Sequence, residues 1–92
     1  MKYSLERVRD GEGDSGSISM AIFEDENGKI QFEMNSRPRV GVQMQVGSPF
    51  ARTRQYQDYW QTTDVLEILK ETENSVEFKT SNSIYIWKEL IK

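Results

Sequence analysis

Arg52-Thr53-Arg54-Gln55-Tyr56-Gln57-Asp58-Tyr59-Trp60 is the stretch of this chain whose side chains are best suited to recognition. Arginine presents a planar fork of donors that pairs bidentately with carboxylate or phosphate and also stacks on flat rings. Arg37 and Arg39 lie a short way upstream, and residues 34–57 hold four arginines and no acid. The flanks have the opposite sign: residues 1–33 carry eight acids against four bases, and residues 58–92 carry seven against four. Arg37, Arg39, Arg52, Arg54, Tyr56, Tyr59 and Trp60 are therefore the candidate binding residues, because Arg and aromatic side chains most often anchor interfaces. The competing use of the same residues is internal, with arginines paired to the chain's own carboxylates and Trp60 packed in the core.

Other chemistries fail on residue type. With 92 residues but no histidine and no cysteine, the chain has no imidazole-activated nucleophile, no thiolate and no His- or Cys-ligated metal. Asp10, Glu12 and Asp14 repeat the first ligand positions of a calcium loop, but Ser15 stands where that loop needs glycine and Ala21 where it needs its bidentate glutamate. No glycine-rich phosphate loop is present, since neither Gly11-Glu12-Gly13 nor Gly41-Val42 has the required spacing. No metal or cofactor is expected. Tyr85 and Trp87 lie two apart and could stack a ligand, although packing against a hairpin is the simpler use of both.

The expected function is a non-catalytic protein-binding module, accessory or inhibitory in character and of the kind found in bacterial or mobile-element systems. The alternative is a small β-barrel that binds single-stranded nucleic acid, with arginines tracking phosphates and Tyr56, Tyr59 or Trp60 stacking on bases. A net charge of −3 and a pI near 4.9 weigh against that alternative. No apolar stretch is long enough for a signal-peptide core or a membrane span, which predicts a cytoplasmic protein without membrane contact. A monomer or weak homodimer is expected, with Tyr3 to Arg9 as the edge strand that could pair with a copy of itself.

The elements that must position these residues read as strands. Ile18, Met20 and Ile22 alternate before Glu24-Asp25-Glu26-Asn27-Gly28, and Ile30, Phe32 and Met34 alternate after it. That is a β-hairpin with three apolar side chains per arm on one face, and Asn27-Gly28 is expected to supply positive φ at its turn. Val40, Val42, Met44 and Val46 form a further strand, and Val76 and Phe78 another. Ile84 to Trp87 is apolar on both faces and should be central or part of a closed barrel. Over residues 63–73, Val65, Leu66, Ile68 and Leu69 permit one short helix behind an Asp64/Glu67 capping box, whereas the β-branched residues favour a strand turning at Glu73-Asn74-Ser75. The 10–16 stretch reads as a flexible acidic loop. Together these predict one small, mostly β domain over residues 1–92, an antiparallel barrel or sandwich of about six short strands.

Overall fold

A computed structural model describes residues 2–47 and 59–90. Nine strands lie among them: β1 (Lys2–Arg7), β2 (Gly13–Gly16), β3 (Ile18–Glu24), β4 (Ile30–Met34), β5 (Gln43–Gly47), β6 (Tyr59–Gln61), β7 (Glu67–Glu71), β8 (Ser75–Lys79) and β9 (Ile84–Leu90). They form two antiparallel sheets, one of five strands in the order β2-β1-β9-β8-β7 and one of four in the order β4-β3-β5-β6. Among the described residues, strands β2, β7, β4 and β6 each have a single hydrogen-bonded neighbour, and neither sheet closes on itself. The mostly β expectation holds. The strands beyond the expected six include β2 and β6, which are too short to show alternation.

Alternating residues from both sheets fill one core. Tyr3, Leu5, Val76, Phe78, Tyr85 and Trp87 enter it from the five-stranded sheet, and Ala21, Met44 and Val46 from the four-stranded one. Tyr3 stacks on Trp87 with ring centroids 5.8 Å apart, and Phe78 stacks on Tyr85 at 5.5 Å. As its two apolar faces require, β9 is the central strand of its sheet.

Residues 63–73 contain no helix. β7 occupies Glu67–Glu71 and turns into β8, with the Thr72 amide donating to the Ser75 carbonyl at 2.8 Å and the Thr72 and Ser75 hydroxyls 2.9 Å apart. The helical spacing gives way to strand pairing: the Leu66 amide donates to the Lys79 carbonyl at 2.8 Å and Ile68 stands opposite Phe78 on β8, while Leu66 and Leu69 stay exposed.

Two expectations about the N-terminal segment are corrected. Gly13–Gly16 is not a loop but strand β2, laid along β1 with Tyr3 opposite Gly16 and Glu6 opposite Gly13. A side chain at Gly13 would put its Cβ 1.8 Å from the Leu5 carbonyl oxygen, so the glycine is what allows the close approach. Because β2 covers one side of β1 and β9 the other, the Tyr3 to Arg9 segment is not an edge. Its Tyr3 and Leu5 do point inward.

The hairpin turn also differs. Among its residues only Gly28 has positive φ, at 81°, and its amide donates to the Asp25 carbonyl at 3.0 Å. Asn27 instead donates its backbone N–H to the Asp25 carboxylate at 2.9 Å, and so does Lys29 at 2.9 Å. This ring of donors holds the Asp25 carboxyl below its ordinary range, led by the Lys29 amide and then the Gln31 side chain.

Candidate functional site

The apolar rows of the hairpin do share a face, but it is the outer one. On β3 the buried residues are Ser19 and Ala21, and Phe23 packs against the core behind them. Ile18, Met20 and Ile22 therefore point away from it, each half-buried. Across the ladder Met20 stands opposite Met34 and Ile22 opposite Phe32. On β4, Ile30 is 55% exposed, Phe32 62% and Met34 52%.

The inner row of β3 is small because of what lies across the core. The Trp87 indole, fully buried, donates to the Ser19 hydroxyl at 2.8 Å, and that hydroxyl donates to the Ser36 carbonyl at 2.8 Å. A larger apolar side chain at 19 would lose this hydrogen bond and have to displace the indole. The large apolar residues of β3 lie on the other side of the strand.

On the same outer face, β5 and β6 contribute amides instead. Gln45 stands opposite both Met20 and Gln61, and Gln43 opposite Ile22. Gln61 donates to Gln43 across the two strands at 2.9 Å. Tyr59, opposite Gly47, completes this half. Apart from Glu24 at the hairpin end, the face among the described residues carries no charge. It is half apolar, half amide.

Among the described residues, the candidates Arg37, Arg39, Tyr59 and Trp60 are not brought together. Arg52, Arg54 and Tyr56 lie outside the described residues. Arg37 reaches across to the β7–β8 turn, donating to the Glu73 carbonyl at 2.7 Å and the Thr72 carbonyl at 2.6 Å, with Glu71 at 3.2 Å. Its Nε is buried with no hydrogen-bond partner, and the guanidinium carbon lies 5.3 Å from the centre of the Trp87 ring. Arg39 pairs with Glu33 at 2.8 Å and lies over the Phe23 ring at 5.1 Å. The Arg39 hydrogen bond, with that of Ser36, lowers the Glu33 carboxyl from its ordinary value.

Trp60 is on β6, at the far edge of the four-stranded sheet from β4. It faces inward, packs partly against the core, and donates to the Tyr85 hydroxyl at 3.4 Å. Its cation is Arg7, whose guanidinium carbon is 5.0 Å from the ring centre. Tyr59 alone of the described candidates lies on the outer face.

An open groove of about 500 Å³ runs beside the β4 end, lined by Met34, Arg37, Pro38, Arg39, Val40 and Ile68. Its cations are spent internally on Glu33, Glu71 and the turn carbonyls. Among the described residues no three potential metal ligands converge, and no helix is long and apolar enough to cross a membrane. Asp10, considered above for calcium, is instead bound by Arg7 at 2.6 Å and by the Glu12 amide at 3.2 Å. Comparison with protein-family models, with curated proteins and with solved structures finds no match.

Proposed function

We propose that this chain is a non-catalytic protein-binding module whose docking surface is the outer face of the β4-β3-β5-β6 sheet. One observation carries the reading: Ile30, Phe32 and Met34 stand more than half exposed beside Ile18, Met20 and Ile22 on the neighbouring strand. Contiguous apolar surface of this kind is a mark of interaction sites on soluble chains. Gln43, Gln45, Gln61 and Tyr59 supply a polar border able to hydrogen-bond a partner without charge matching. The partner surface is accordingly apolar and uncharged at its centre. In this reading the two sheets are the layers of an open sandwich, and the outer face of one layer is what the fold displays.

Site-specific photocrosslinking tests it. A photoreactive side chain at Ile22 or Phe32 is expected to capture a partner that the same group at Glu77, on the outer face of the other sheet, does not. The captured protein, purified, should bind with a negative heat-capacity change that marks apolar burial. A complex that survives Ile22→Ser and Phe32→Ser unchanged sinks the reading.

A further inference from the structure

Among the described residues the hairpin leaves one strand edge open as well as one face. There β4 ends its sheet, and all five of its residues are exposed. The Asp25 amide donates to the Lys29 carbonyl at 2.8 Å, and hydrogen-bonded pairs alternate along an antiparallel ladder. Gln31 and Glu33 therefore direct their backbone groups to Phe23 and Ala21 on β3. The N–H and C=O groups of Ile30, Phe32 and Met34 point outward from the sheet.

Soluble proteins usually blunt such an edge with proline, lysine, a bulge or brevity. The other three edges among the described residues have such features: β6 is three residues long, β7 has a register shift between Ile68 and Lys70, and β2 is a four-residue strand with glycine at both ends and Asp14 within. Ile30-Gln31-Phe32-Glu33-Met34 has no proline, lysine, glycine or register shift, and its one charge, Glu33, is paired within the chain to Arg39.

We infer that a second copy of this chain pairs with β4, antiparallel and in the register that sets Phe32 against Phe32 of the partner subunit. The sequence of β4 is self-complementary about that residue. Ile30 then meets Met34 of the partner subunit on the outer face, and Gln31 meets Glu33 of the partner subunit on the inner one. No acid opposes an acid, and the Gln31 amide can donate to the carboxylate across the pair. Every outward N–H and C=O of Ile30, Phe32 and Met34 gains a partner. The inference stands on the strand edge and does not depend on the docking role of the face, which it would join to a second face in one continuous apolar surface.

The chain contains no cysteine, so introduced thiols report position without background. In this register the Phe32 Cα atoms are about 5.5 Å apart, within the disulfide range, whereas two Gln31 positions are about 8 Å apart, beyond it. Phe32→Cys is expected to oxidise to a covalent dimer. Gln31→Cys and Glu33→Cys should each stay single alone and link to one another when mixed. Light scattering on the unmodified chain should give twice the 10.8 kDa mass at high concentration. Phe32→Lys, which opposes two charges on the axis, should raise the dimer dissociation constant at least tenfold, while Ile22→Ser, on the face but not the edge, should leave it unchanged. A mass of one chain at every concentration overturns the inference, as does a dimer in which Phe32→Cys fails to link.

Discussion

The Trp87 indole N–H and the Ser19 hydroxyl meet at 2.8 Å in the middle of the core, joining the central strand of one sheet to β3 of the other. Ser19 is fully buried and donates its own O–H to the Ser36 carbonyl, so a single hydroxyl satisfies two buried groups. Ser19→Ala should therefore cost about 1–3 kcal/mol, the range for leaving buried polar atoms unpaired. Urea unfolding followed by tryptophan fluorescence measures it. A change below a few tenths would mean that water or a shifted indole replaces the hydroxyl.

Arg37 should prove a stability residue. Its two terminal nitrogens hold the Thr72 and Glu73 carbonyls of the β7–β8 turn, 35 and 36 residues away. Lysine offers a compact ammonium that cannot span both acceptors and stack on Trp87 at once. Arg37→Lys is expected to lose about 1–2 kcal/mol, reduced by the partial solvent exposure of the site. Hydrogen exchange at the Thr72 to Ser75 turn should accelerate with it. Unaltered turn protection in Arg37→Lys would refute the structural role.

These two contacts also explain what could be read in the chain and what could not. The alternation of Ile18, Met20 and Ile22 with Ser19 and Ala21 marks a strand and sorts its residues into two rows, because successive side chains point to opposite faces. It does not say which row is inside. The more apolar row is the natural choice for the core, yet the inward Ser19 is the hydrogen-bond partner of an indole 68 residues further on. The arginine island is likewise visible as charge, while the destination of Arg37 depends on carbonyls of a distant turn. β2 has no legible strand pattern because a glycine-rich acidic stretch has the composition of a loop, and its pairing rests on the one atom that Gly13 lacks.

Gly13→Ala tests that last point. The added methyl would lie 1.8 Å from the Leu5 carbonyl oxygen, which is backbone and cannot swing aside. β2 must move off β1, breaking pairing from Tyr3 to Glu6. A loss of about 1–3 kcal/mol is expected, as for overpacked sites, with faster hydrogen exchange confined to β1 and β2. Native stability in Gly13→Ala would show that β2 does not lie where the structure places it.

Asp10 sets an acid limit on the β1–β2 turn. Its carboxyl titrates at about 2, below the ordinary 3.8, chiefly because Arg7 hydrogen-bonds the charged form. A depressed pKa in the folded chain stabilises it above the unfolded value and ceases to do so as pH falls through the folded one. The contribution should thus be complete above about pH 4 and disappear toward pH 2. Carboxyl NMR titration of Asp10 checks the value directly, and Asp10→Asn should flatten the stability profile across that window. Titration at the ordinary carboxylate value would mean that Arg7 is not held at Asp10.

The outer face should separate binding from folding. Phe32 is 62% exposed on an edge strand, so Phe32→Ser removes little buried area and should change stability by no more than about 1 kcal/mol, the span of strand propensity. Met44, fully buried on β5 of the same sheet, is the contrast: Met44→Ala should cost about 2–5 kcal/mol through the cavity it leaves. If Phe32 were covered by the chain itself, its replacement would cost as much as Met44. Parallel thermal and urea unfolding of the two variants decides the matter, and a small effect at Phe32 together with lost partner capture fits a surface whose apolar side chains serve contact between molecules.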